Sequence, residues 1–221
     1  MPKEQKNLER KLAKNFDVTF SKPVDFEKNG LKWQEFPVVL KARDGGHINH
    51  WAWGKVVHDF AGMETPSNGK IPIDHVHSND ALGFIDEFDT SDGNLVLKGK
   101  FISTKEGDLA WDIATKIAAG VPYQSSIFFD DLENGEPIEI ENVKQNKSVT
   151  VNGKQFDGNG IVIRKWLLRG VATCLYGADS QTTTQTLKDD KRPTAPPNQS
   201  PYSPANAQRE FVDELRQALD A

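Results

Sequence analysis

Residues 120–131 read GVPYQSSIFFDD, from Gly120 to Asp131. Pro122 cannot continue a helix, and Gly120 is placed to end one in the left-handed conformation. The residues after Pro122 are strand material. A strand sends alternate side chains to opposite faces. Gln124, Ser126 and Phe128 therefore share one face, and Ser125, Ile127 and Phe129 the other. The second face is apolar enough to be core. The first sets a hydroxyl beside a bulky wall on a rigid element, a reasonable seat for a nucleophile, although serine in a strand is usually only serine.

Upstream, Leu109, Ile113 and Ile117, with Ala110, Ala114 and Ala118, form an apolar stripe at helical period. Ser103-Thr104-Lys105-Glu106 fits a capping box, with Ser103 as N-cap and Glu106 at the third helical position. Asn94–Ile102 (NLVLKGKFI) comes after an Asp92-Gly93 turn and pairs as a hairpin with the run Ala81–Phe88. Ahead of that lies IPIDHVHSNDALGFIDEF, residues 71–88. It places Asp74, His75 and His77 within four positions, and the strand pattern sets both histidines on one face. Pro37–Ala42 reads as a buried strand ending at Asp44-Gly45-Gly46. Lys28-Asn29-Gly30 signals a turn.

Downstream, Asn134-Gly135 turns the chain, and Pro137–Val143 and Ser148–Val151 read as strands. Asn152-Gly153 is a strong hairpin signal. Ile161–Tyr176 (IVIRKWLLRGVATCLY) is one long or two broken strands, with Gly170 at a bend or close contact. Gly177-Ala178-Asp179-Ser180 ends it. Residues 1–15 read as a charged N-terminal arm and 16–187 as the main domain. Residues 188–207 hold five prolines and read as an extended linker. Phe211, Leu215 and Leu219 then give residues 208–221 a helical pattern that needs a partner.

The chain has 221 residues and a formal net charge of -5, which argues against a dedicated nucleic-acid binder. No apolar run is long enough for a membrane-spanning helix, and the N-terminus lacks the apolar centre of a signal peptide. The single cysteine, Cys174, forbids an intrachain disulfide and points to a reducing, cytoplasmic setting.

Two chemistries fit the Asp74-His75-Val76-His77 cluster. One is a zinc hydrolase, since His-x-His beside an acid is a common ligand arrangement. Such a run would continue with an aspartate and then a histidine, where this chain has Asn79 and Asp80. No histidine comes after His77. The histidines at 47, 50 and 58 lack a matching third ligand nearby. The other chemistry is nucleophilic: a serine hydroxyl, a histidine that takes its proton, and a third group that orients the histidine.

Three blocks, in order, resemble those of the tailed-bacteriophage prohead (capsid maturation) serine proteases. IPIDHVHSNDALGFI resembles the histidine block, and the family's spacing from Pro72 and Asp74 selects His77. GVPYQSSIFF resembles the nucleophile block and selects Ser126 over Ser125. LRGVATCLYGADSQT resembles the last strand and the loop leaving it, where Asp179 aligns with an aspartate of the Mu-like branch. The resemblance covers roughly residues 35–185, and its specificity lies in the order and spacing of short motifs. It departs at Phe128, where the family often has glycine, and at Gly170, where one branch has glutamate.

The resemblance implies an α+β fold, a compact and mainly antiparallel β-barrel flanked by helices as in the herpesvirus assembly proteases. It implies an endopeptidase with Ser126, His77 and Asp179 as catalytic residues, His75 and Asp74 being alternatives for the third member. Arg164 or Arg169 would assist the oxyanion, although salt bridging is the expected role of both. The expected substrates are the major capsid and scaffold proteins, with self-cleavage and possible self-association, inside the assembling prohead in the host cytoplasm. No cofactor, resident metal, nucleic acid or membrane is expected. The alternatives are a degenerate, non-catalytic protease domain serving as scaffold or assembly factor, and third the zinc hydrolase.

Overall fold

The computed structural model describes residues 23–50 and 52–186. The N-terminal arm, Trp51, the proline-rich stretch and the C-terminal helical pattern lie outside the described residues. The longest strand is Gly160–Cys174, the thirteenth of fourteen among the described residues, β13. Its middle and end are almost continuously buried, with Ile163, Trp166, Leu168, Val171 and Ala172 in the interior. A strand buried on both faces reads as the unbroken apolar run seen here.

β13 organises its neighbours in tiers. Its first third pairs with β10 (Glu139–Val143) on one edge and β4 (Gly54–His58) on the other. Its middle meets β5 (Met63–Glu64). Its last third runs between β6 (Ile71–His75) and β9 (Gln124–Asp130). β4, β5 and β6 are parallel to it, while β9 and β10 are antiparallel. From β6 the sheet continues through β7 (Ala81–Asp89), β8 (Leu95–Ser103), β2 (Leu31–Arg43) and β1 (Val24–Lys28). β14 (Thr183–Thr186) pairs with β2, and β3 (Ile48–His50) edges β4. A separate hairpin joins β11 (Ser148–Val151) to β12 (Lys154–Asp157).

This corrects the expected architecture. The main body is one mixed sheet of twelve strands that does not close into a barrel, and among the described residues a single α-helix stands where flanking helices were expected. The sheet stays open where β9 and β14 approach, because only an isolated bridge, Tyr123 to Thr184, joins them. One bridge does not continue a ladder.

The helix α1 (Leu109–Ala118) buries Ala110, Ile113, Ala114 and Ile117 of the expected stripe against β8 and β14, while its end positions Leu109 and Ala118 are exposed. It ends as the sequence predicts. Gly120 adopts φ 97°, its N–H donates to Ile117 O, and Val121 N–H donates to Lys116 O, the paired bonds of a Schellman motif. Its start differs from expectation. Ser103 is the buried last residue of β8, with its hydroxyl donating to Lys105 O. Gly107 at φ 83° interrupts the right-handed path, so Asp108 becomes the N-cap and accepts from Trp111 N–H at 2.9 Å.

Candidate active site

Register around β13 decides what can meet. Ala172 lies opposite Asp74 of β6 on one edge and Ser126 of β9 on the other. Thr173 likewise lies between His75 and Ser125. Two inter-strand spacings therefore separate Asp74 from Ser126, roughly 10 Å between backbones. Residues paired across strands share a face, so Pro72, Asp74, Gly170, Ala172, Ser126 and Phe128 lie on one side. Ile73, Val171 and Ile127 lie on the core side. The small residues Gly170 and Ala172 separate β6 from β9 on that face. A methyl group added at Gly170 would sit in ordinary contact with Pro72 and Phe128, at 3.6–3.9 Å.

Ser125 and Ser126 have different environments. Ser125 is fully buried, and its hydroxyl donates to Thr183 O at 2.9 Å and meets Thr184 Oγ1 at 2.9 Å. Ser126 is half-buried on the other face. Of the two adjacent hydroxyls, the one at 126 is the more exposed.

His77 is not on a strand. β6 ends at His75, so the expectation of both histidines on one strand face is corrected. Val76, His77 and Asn79 all take left-handed backbone angles, φ 58°, 55° and 66°. For a β-branched residue such as Val76 this is unfavourable, on the order of 1–3 kcal/mol, and persists only where surrounding contacts impose it. Those contacts are present. Val76 N–H donates to Thr173 O at 3.3 Å, pinning the turn onto β13. Asp74 Oδ1 accepts from His77 N–H at 3.2 Å, and His75 N–H donates to Asp80 O at 3.2 Å. The result carries the exposed His77 ring back over the sheet, to 6.2 Å from the Phe128 ring. Phe128 is two residues from Ser126 on the same strand face. The turn thus sets His77 beside Phe128, which shares its strand face with Ser126. Among the described residues, no hydrogen bond links the imidazole to Ser126, Asp74, His75 or Asp179.

Asp179 is placed elsewhere. It is buried, and its carboxylate accepts from Asp44 N–H at 3.1 Å and Gln181 N–H at 2.9 Å, beside the buried Arg43 guanidinium at 3.4 Å. Burial pushes the Arg43 pKa down, while Asp179 and Asp44 oppose that. Asp179 is committed to this knot rather than to His77. Arg164 is held by Asp59 and Glu141, at 2.6 and 2.7 Å, and serves structure. Arg169 pairs with Asp130 and lies 5.9 Å from the Phe128 ring, so it is the arginine that borders Phe128. Phe128 is held between a cation and an imidazole, a wall whose contacts sequence alone did not reveal. The threonine run 182–184, which no motif in the sequence marks, is the other contributor. Its β-branched residues are the signal that marks β14.

Among the described residues, no group of three or more His, Cys, Asp and Glu side chains could hold a metal ion. His58 is instead a core residue. It is buried, its ring lies 4.6 Å from Phe129 and 5.1 Å from Trp166, and neither ring nitrogen has a hydrogen-bond partner among the described residues. Burial, then the positive field of Arg43 and His50, pushes its pKa well below 6.5. Between that depressed value and 6.5 the unfolded chain binds a proton the folded chain does not. Stability should therefore fall as pH drops below about 6.5, by up to about 1.4 kcal/mol per pH unit from this group. Denaturant titrations between pH 7 and 5 check this, with His58→Leu expected to flatten the slope. An unchanged slope in that variant would place the acid sensitivity elsewhere.

In comparisons with known proteins, no family model, no curated protein and no solved structure matches this chain.

Proposed function

We propose that the chain is a serine endopeptidase that processes capsid and scaffold proteins during phage head assembly, with self-cleavage. The observation that carries this reading is the contact of the His77 ring with Phe128, on the strand face that Ser126 shares. Ser126 Oγ attacks the scissile carbonyl as His77 takes its proton. His77 then gives that proton to the leaving amine, and water repeats the sequence to release the acyl group. Asp74, which holds the His77 turn through its backbone N–H, replaces Asp179 as the carboxylate that places the base. Arg169 brings positive charge beside Phe128, to the face where an oxyanion forms.

A second reading, a non-catalytic scaffold or assembly factor, is favoured by one feature: among the described residues no hydrogen bond joins Ser126 to His77. Catalytic hydrogen bonds often tighten only once substrate is bound. A fluorophosphonate probe separates the readings, because it phosphonylates an activated serine with loss of fluoride. Mass spectrometry is expected to map the adduct to Ser126, and the adduct to vanish in Ser126→Ala. Absence of any adduct on the folded protein, with capsid-protein binding retained, would favour the scaffold.

A further inference from the structure

We infer that a buried hydroxyl clip, Ser125 with Thr182 and Thr184, backed by Asp179 and Arg43, is the positioning device for Ser126; the inference rests on the peptidase reading of that site. β9 is held by a full ladder on one edge only, that facing β13. On its other edge the backbone contributes a single bridge, with Thr184 N–H donating to Tyr123 O at 2.8 Å. Side chains supply the remaining connections. Ser125 N–H donates to Thr182 Oγ1 at 3.1 Å. Ser125 Oγ reaches both Thr183 O and Thr184 Oγ1 at 2.9 Å, and Thr184 Oγ1 donates to Gln124 O at 3.0 Å. Ser125, Thr182 and Thr184 are all buried.

Hydroxyl chemistry makes this a constrained network. Ser125 and Thr184 own one hydroxyl proton each, while the geometry offers three bonds among the two hydroxyls and two carbonyls. Any proton arrangement leaves β9 tied to β14 by at least one short, directional bond. An apolar contact at the same place would allow sliding, whereas a buried hydrogen bond sets distance as well as proximity.

The clip is itself anchored. Thr182 Oγ1 donates to Asp179 O at 2.8 Å, and Thr182 N–H donates to the same oxygen at 3.2 Å. The Asp179 carboxylate is tied to Asp44 at the end of β2 and lies beside Arg43. Gln124 adds a parallel tie, its Oε1 accepting from Gly177 N–H at 2.6 Å. A continuous path thus runs from β2 through Asp179 and Thr182 to Ser125. Ser126 is the next residue, pointing the opposite way. Strand alternation makes the inward hydroxyl the lever on the outward one, so a shift of β9 at position 125 moves the nucleophile as far. The Asp179 side chain therefore acts on the site through the strand, without touching reacting atoms.

The test is the rate of fluorophosphonate inactivation in the intact 221-residue chain, resolved into the maximal rate constant, the half-saturating reagent concentration and the fraction of reactive sites. Thr184→Val removes the hydroxyl at nearly constant volume, and Thr184→Ser restores it. The maximal rate constant is expected to fall about tenfold in Thr184→Val, with the reactive fraction kept, and to recover in Thr184→Ser, since small misplacements of a reacting group cost rate steeply. Thr182→Val and Thr182→Ser repeat the comparison from the other side of the clip if Thr184→Val does not fold. An unchanged rate constant with a smaller reactive fraction would reduce the clip to ordinary stability and overturn the inference. Labelling absent in the native protein would instead overturn the peptidase reading, and the inference with it.

Discussion

Replacing Ser126 by alanine, or His77 by asparagine, is expected to lower hydrolysis of a capsid-derived peptide by about 10⁴-fold or more, and replacing both to lower it no further. The absence of a further loss is the informative part. Two groups that act in one proton transfer fail together, whereas two independent contributors would multiply. Asparagine is the appropriate substitute at 77 because the backbone there is left-handed, φ 55°, and asparagine tolerates that region better than alanine. A loss at His77→Asn then reports on the imidazole rather than on a collapsed turn. Steady-state kinetics of the two single variants and the double variant make the measurement, with thermal midpoints as the control for folding. Full activity in either single variant would end the pairing of these residues in the chemistry.

Asp179→Ala is expected to destabilise the domain by about 3–5 kcal/mol, the usual loss when one partner of a buried ion pair is removed. Arg43 is 2% exposed, and its guanidinium would be left without its counter-charge. The N–H groups of Asp44 and Gln181 would lose their acceptor as well. Arg43→Met alone should cost a comparable amount. The double variant Arg43→Met/Asp179→Leu should cost less than the sum, because no orphaned charge remains. Urea unfolding of the four proteins gives the cycle, and additivity would show that the two side chains do not depend on each other. The same set distinguishes an anchor from a member of the catalytic constellation. With its carboxylate away from His77, Asp179→Asn should leave the pH profile of Ser126 labelling in place, whereas a carboxylate on the imidazole would shift it.

Local signals were legible wherever a short stretch of chain sets its own geometry. Gly120 ends the helix, Asn152-Gly153 turns a hairpin with both residues at positive φ, and the alternation in Gln124–Phe129 separates the core-facing Ser125 from the outward-facing Ser126. These depend on dihedral preference and on burial of one face, both local properties. The capping box at Ser103 shows the limit even here. Its residues match the motif, yet Ser103 is buried in β8 and Asp108 caps the helix, because strand pairing claimed Ser103 first.

Long-range pairing was not legible. Three parallel partners for β13 come from distant segments whose side-chain patterns do not specify direction. The antiparallel barrel is what the family resemblance implies, and the open mixed sheet replaces it. His77 shows the same effect at the scale of one residue. Its position two after His75 suggests a shared strand face, but Thr173 O captures the Val76 N–H and bends the chain at 76–77.

From the chain's own residues come most of the long strand runs, the main turns, the helix Leu109–Ala118 with its C-terminal stop, and the outward face of one of two neighbouring serines. Each arises from forces that act over a few residues. Only the tertiary structure decided that β6 and β9 flank the same stretch of β13, that His77 lies over Phe128, and that Asp179 belongs to Arg43. Those outcomes depend on register between segments tens of residues apart, where the free energy comes from the buried interface as a whole and no single stretch of chain carries it.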